Sequence, residues 1–234
     1  MKNEYPFHVD KSNTITDEKL ITKYVWAFSL GDGCLFTAKP KDRPNNNVNS
    51  CFKCNQLASH EDYILWRADI LSNITSLNIQ YVQDGTQLET VSNRHPLYTK
   101  MRSRIYLEGH KIVEPHYLKL LDWETLAILY QDDGCLSLKD KERYYYRLSL
   151  STQSFSYGDN VLLQRAIKDK TDILFSVAPY RNKNDNLMYL LALQKQQEID
   201  RFIDGVRKYI KPSFEYKVNN FRKTSSEKPD DEIV

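Results

Sequence analysis

Two stretches of the chain carry a mainly apolar stripe at helical spacing that ends on an acid. Val25, Phe28, Ser29 and Asp32 fall at i, i+3, i+4 and i+7, and Leu126, Leu129, Tyr130 and Asp133 repeat the pattern. Thr16 with Asp17 and Glu18 supplies a cap and an acidic first turn, as does Asp122, so helices are predicted over about 16–32 and 122–133. Each should stop at its glycine, Gly33 or Gly134. The period then shortens to two: strands are predicted at about 34–40 and 48–57, and at about 135–140 and 144–152, where Leu148 and Leu150 alternate with polar neighbours. Helices follow at about 60–74 and 157–169. Strand pairs come next, at about 78–83 with 86–92 and at about 173–181 with 187–193, the latter turning at Asn182 to Asn186. Closing helices at about 96–108 and 195–209 complete the order αββαββα, which occurs twice in one α+β chain.

The residues repeat as well as the elements. G-D-G-C-L from Gly31 and D-D-G-C-L from Asp132 place Asp32 and Asp133 101 residues apart. Further on, the segments starting at Cys54 and Ser151 align, so that Gln56 meets Gln153 and Asp62 meets Asp159 at an offset of 97. A longer hairpin through Pro40 to Asn47 accounts for the lost four residues, since insertions collect in loops. The chain therefore divides into a leader (1–15), two halves (16–112 and 113–217) and a polar tail (218–234).

Composition narrows the class. The 234 residues suit one large or two small domains, and 41% apolar with 27% charged residues, without an apolar run of about 18, speaks against a membrane span or a wholly disordered chain. Lysine and arginine exceed aspartate and glutamate by only 33 to 31, so net charge alone does not point to nucleic acid. Cys51 and Cys54 form a C-x-x-C without a second pair at finger-like spacing and read as two side chains of a strand. With no signal or transit peptide visible, the four cysteines are expected to be free thiols in a reducing compartment, the cytoplasm or nucleoid of a bacterium or phage-infected cell or the matrix of an encoding organelle.

The two acids carry the chemistry. A carboxylate in the last turn of a helix faces the negative end of the dipole, misplaced by a few tenths to about 1 kcal/mol, so a positive group is expected beside it. If the two stripes pack together, Asp32 and Asp133 meet at the foot of the interface and repel unless a cation or a proton lies between them. Mg²⁺ suits such a place because it takes carboxylate and carbonyl oxygens, and the carbonyls of Gly31 and Asp132 are adjacent in sequence.

V-W-A-F-S-L-G-D-G (Val25 to Gly33) and L-A-I-L-Y-Q-D-D-G (Leu126 to Gly134) resemble the nine-residue signature of the LAGLIDADG homing endonucleases. With T-Q-S-F near Thr152 and P-x-x-x-Y-K from Pro212, the chain is most similar to the single-chain, two-repeat branch of that family. The resemblance implies two pseudo-twofold-related units with paired central helices and two antiparallel sheets forming a DNA-binding saddle. It implies catalytic lysines after the last helix of each half, matching Lys111 and Lys217, and places Gln56 and Gln153 where some members position water or metal. Small residues often pack across the paired helices; Ala27 and Gly31 fit that habit, whereas Ile128 and Gln131 are bulkier.

Strands of up to about 10 residues at about 3.3 Å per residue span one turn of DNA, so two sheets cover about two turns. Lys39, Lys41 and Arg43 in one hairpin are mirrored by Lys139, Lys141 and Arg143 in the other as phosphate contacts, and Asn49, Lys53, Asn55 and Arg147 are candidates for reading base edges. The implied activity of this monomer is hydrolysis of both strands of a long double-stranded DNA target across a minor groove, leaving cohesive 3′ overhangs and serving intron homing. Mg²⁺ is the expected cofactor, with Mn²⁺ substituting and Ca²⁺ binding without supporting cleavage. The rival reading is a non-catalytic module on the same fold, an intron-RNA maturase or a DNA-binding regulator; RNA is a possible second partner.

Overall fold

A computed structural model describes residues 14–37, 48–140 and 145–219. The first half runs α1 (Glu18–Leu30), β1 (Cys34–Phe36), β2 (Cys51–Leu57), α2 (Glu61–Ser72), β3 (Leu77–Val82), β4 (Gln87–Ser92) and α3 (Pro96–Ile105). A two-stranded hairpin, β5 (Tyr106–Leu107) with β6 (His110–Lys111), follows. The second half runs α4 (Trp123–Asp133), β7 (Gly134–Asp140), β8 (Tyr145–Leu150), α5 (Tyr157–Thr171), β9 (Ser176–Arg181), β10 (Leu187–Leu193) and α6 (Gln196–Arg207), closing on a 3₁₀ turn at Pro212–Phe214 and α7 (Tyr216–Asn219). The fold is thus α+β, with αββαββα present twice. The sheets are antiparallel and identically ordered, β1-β2-β4-β3 and β7-β8-β10-β9.

The caps explain where the central helices begin. Asp17, not Thr16, caps α1, its carboxylate accepting from Lys19 N at 2.8 Å. Asp122 caps α4 in a capping box with Thr125. Both helices become buried all round as they descend: Val25 to Leu30 and Thr125 to Gln131 are buried without exception, as expected of helices at the centre of a molecule. Their upper ends are tied by Lys23 Nζ, which donates to Glu124 Oε2 at 2.7 Å and pairs with Asp122 at 2.6 Å, and by the Tyr24 hydroxyl, which donates to Glu124 Oε1 at 2.8 Å.

The ends of these helices differ from the glycine-stop expectation. α4 does run to Asp133, but α1 ends at Leu30, leaving Gly31 and Asp32 in a turn. Neither Gly33 nor Gly134 has a positive φ. What requires glycine is room: a Cβ on Gly31 would come within 2.3 Å of Asp132 Oδ2, and one on Gly134 within 2.0 Å of the Tyr130 ring. Cys51 and Cys54 lie in β2 as buried free thiols. Among the described residues no helix is long and apolar enough to cross a membrane.

Candidate functional site

Alternation in β2 makes the site. Phe52, Cys54 and Gln56 point inward against the helices while Lys53, Asn55 and Leu57 point outward, so a polar side chain is delivered beneath the ends of α1 and α4. Gln56 Nε2 donates to Asp32 Oδ2 and to Asp132 Oδ1, each at 2.9 Å. Asp132 Oδ2 also accepts from the backbone N–H of Asp32 at 3.2 Å. Two carboxylates, one from each half, are thus pinned on one amide. The acid opposite Asp32 is Asp132; Asp133 stands beside them, and the stripe geometry missed this because Gly31 leaves the gap into which Asp132 fits.

The electrostatics follow from crowding. Burial first, then the Asp32 charge, pushes Asp132 up to about 6, although Arg67 pulls the other way. Burial, then Asp32 and Asp132, pushes Asp133 up to about 7 against Lys111 and Lys217. The lysines answer the expectation of a positive group at the helix ends. Lys111 Nζ donates to the carbonyls of Gly31 and Gly33, both at 2.8 Å. Lys217 Nζ donates to the carbonyls of Gln131 at 2.7 Å and Gly134 at 2.8 Å, with Tyr130 O at 3.2 Å. Burial lowers the pKa of both amines, and the neighbouring acids oppose it. Lys111 arrives on a short strand and Lys217 on a short helix, yet each closes the last turn of its own half's central helix.

The halves are not equivalent. Gln153 sits in a turn beyond β8, half-buried, and among the described residues no hydrogen bond ties it to the acids. Gln131 folds back along α4, donating to Ala127 O at 3.1 Å and accepting from Lys211 N at 2.7 Å. On the outer sheet faces Lys53 pairs with Glu89, and Lys139 and Arg147 lie on β7 and β8. Asn55 opposes Glu89 across β2 and β4, and Asn49 accepts from the Thr99 hydroxyl at 3.1 Å. Lys39, Lys41, Arg43, Lys141 and Arg143 lie outside the described residues.

Some side chains of the site escaped sequence reasoning. The guanidinium of Arg67 is fully buried on α2, its centre 5.3 Å from the Tyr63 ring and 6.0 Å from the Phe28 ring, and none of its nitrogens has a hydrogen-bond partner among the described residues. Burial works against its charge, and Tyr63, Asp132 and Asp32 are among the groups that more than offset this, so its pKa lies above the ordinary arginine value. The signal was its place on the buried Tyr63, Ile64, Arg67, Ala68 and Leu71 face of α2, where an arginine is out of character. His60, its ring centre 4.0 Å from that of Phe214 and tilted by 37°, and Tyr216 join Asp32, Gln56, Asp132 and Lys217 around a cleft of about 290 Å³.

A divalent cation fits these residues. The donors are hard oxygens, the carboxylates are destabilised by one another, and the buried Gln56 Oε1 has no hydrogen-bond partner among the described residues. Among the described residues no group of three or more His, Cys, Asp or Glu forms a ready cage, so the protein offers only part of a coordination shell.

The sequence signature of the LAGLIDADG DNA endonuclease family matches residues 29–202. The chain belongs to the LAGLIDADG DNA endonuclease family. Among solved structures, the LAGLIDADG fold is shared with the homing endonuclease I-WcaI bound to its DNA recognition sequence, at 19% identity and a TM-score of 0.67 over 90% of each chain. The meganuclease I-AabMI bound to uncleaved DNA matches at 13% identity and a TM-score of 0.55, over 86% of this chain and 88% of that one. Among curated relatives, Protein RecA of Mycolicibacterium chitae is 28% identical over 198 residues, covering 81% of this chain and 44% of that protein. An uncharacterized protein of Methanocaldococcus jannaschii is 32% identical over 127 residues, 54% of this chain and 46% of that protein. The LAGLIDADG chain spans less than half the length of each of these curated relatives.

Proposed function

We propose that this protein is a site-specific homing endonuclease that makes a double-strand break in a long DNA target by metal-dependent phosphodiester hydrolysis, leaving cohesive 3′ overhangs. The observation that carries this reading is the meeting of Asp32 and Asp132 on Gln56, with Asp133 alongside and Lys111 and Lys217 at the two helix ends. The outer faces of the two sheets are the proposed seat for DNA; I-WcaI and I-AabMI, which share the fold, are each bound to DNA. Lys139, Arg147 and Lys53 reach phosphates or base edges there, Lys53 after exchanging Glu89 for DNA.

Asp32 and Asp132, with Asp133 alongside, and the Gly31 and Asp132 carbonyls and Gln56 Oε1 would supply part of the shell of Mg²⁺, the rest coming from DNA and water, and Mn²⁺ would serve in its place. A cation held there would neutralise the scissile phosphate and acidify a water for attack. Lys111 and Lys217 release helix-end carbonyls as the backbone of the DNA arrives, and their ammonium groups then offset charge on the phosphorane and donate a proton toward the departing 3′ oxygen. Gln56 holds two acids in register so that neither swings into solvent. The protein acts as a monomer, each half addressing one strand.

The test is cleavage of a randomised duplex library by purified protein in Mg²⁺, Mn²⁺ or Ca²⁺, followed by sequencing of the cut ends. Staggered breaks at one long sequence in Mg²⁺ and Mn²⁺, lost in the Asp32→Asn/Asp133→Asn variant while DNA affinity is kept, support the reading. Full cutting by that variant overturns it.

A further inference from the structure

A larger cavity than the acid cleft lies at the other end of α1. It encloses about 560 Å³ and is built from the first turns of α1, from α3 and from the 3₁₀ turn at Tyr117–Leu120. Lys19 and Asp32 bracket α1, which at about 1.5 Å per residue separates cavity and acids by roughly 20 Å. The rim carries Lys19, Lys100, Arg104 and Lys119, all exposed, with Glu18 as the acid among them. Among the described residues none of these four cations is held in an ion pair. That is unlike Lys23, whose two acids occupy it on the same helix. Leu97 and Leu120 form an apolar floor.

We infer that this cavity is a second nucleic-acid site, which takes an unpaired nucleotide of a single strand with its base on the Leu97 and Leu120 floor and its flanking phosphates on the lysine and arginine rim. The chemistry selects this occupant. The cationic rim groups are donors, which phosphate oxygens satisfy, and Leu97, Leu120 and the rings of His116 and Tyr117 in the lining suit a base. The volume exceeds that of one nucleotide. A membrane surface is disfavoured by shape, since a concave cup cannot meet a lipid plane and none of the large exposed apolar side chains lies at its rim. The inference does not depend on the cleavage reading.

The test is fluorescence anisotropy of a fluorescein-labelled ten-residue uridine oligonucleotide on the full chain. Lys100→Glu/Arg104→Glu should weaken binding at least tenfold and make the salt dependence shallower, by about 0.7 for each phosphate that the rim no longer neutralises. Lys19→Glu/Lys119→Glu should do the same, whereas Lys170→Glu, at the exposed end of α5, should leave the affinity unchanged. Uridine monophosphate should displace the oligonucleotide at lower concentration than inorganic phosphate. No measurable binding, equal weakening by Lys170→Glu, or indifference to both rim pairs overturns the proposal. Rim-dependent binding of phosphatidylserine vesicles without binding of the oligonucleotide overturns it too.

Discussion

Replacing Asp133 by asparagine keeps the shape of the helix end and removes one of three crowded charges. Burial and the neighbouring acids lift this carboxyl from 3.8 to about 7. At about 1.36 kcal/mol per unit, three units set a ceiling near 4 kcal/mol on what its ionised form costs the fold above pH 7. Asp133 is half-buried, so water and salt screen part of this and about 1–2 kcal/mol is the expected gain. An acid whose pKa is raised by folding holds its proton more tightly in the folded state, so stability falls as pH climbs from about 4 to about 7 and stays reduced beyond. Asp133→Asn should therefore melt about 2–8 °C higher than the parent at pH 8 in chelator. At pH 5 the gain should shrink to about a third. Mg²⁺ should raise the melting temperature of the parent more than that of the variant, and DNA cleavage should fall. Differential scanning fluorimetry at both pH values, with and without Mg²⁺, reads the stability changes, and a gel assay reads the cleavage. Equal melting at pH 8, or a gain that does not change with pH, refutes the reasoning.

The other expectations rest on single contacts. Gly31→Ala drives a methyl against Asp132 and should cost about 1–3 kcal/mol in urea denaturation, only part of it recovered by adding Asp132→Ala, whose Cβ would still lie 2.8 Å away. Arg67→Met strips the cationic neighbour from Asp132 inside the protein and should destabilise by about 3 kcal/mol at pH 8. The loss should be smaller at pH 5, where Asp132 takes a proton; an equal loss at both pH values would mean that Arg67 matters for packing alone. Lys111→Met and Lys217→Met should slow single-turnover cleavage far more than they weaken DNA binding, and a fall in affinity alone would reassign them to phosphate clamping.

Periodicity made the elements legible because each is amphipathic against a shared core. The strand pairs, the six main helices and the turn at Asn182 to Asn186 lie where the apolar pattern put them. The β5–β6 hairpin and α7 escaped, being two and four residues long, too short to show a period. The repeat marked the helix ends and both lysines. It could not reveal Asp132 as the partner of Asp32, because a repeat aligns like with like and this contact joins unlike positions: Asp132 occupies the place that Gly31 holds in the first half. Arg67 was hidden for the same reason, since glutamine stands at the matching place, Gln164, in the second half. Its approach to the acids is a tertiary fact carried by the packing of α2.

These unlike positions change how the site must work. Asp32, Asp132 and Asp133 gather near Lys111, Lys217 and Arg67, so three anionic groups are set against three cationic ones. Such a balance limits the repulsion among the acids, although burial still raises Asp132 and Asp133. A phosphodiester entering from either strand breaks the balance by one negative charge, and Lys111 and Lys217 can answer only by giving up the carbonyls they now hold. On the proposed reading, the arriving DNA adds to the demand for a divalent cation that the crowded acids already make. If the site takes Mg²⁺ as proposed, Mg²⁺ and DNA should each tighten the binding of the other, which titration of the metal with and without a DNA duplex would read as a lower Kd in the presence of DNA.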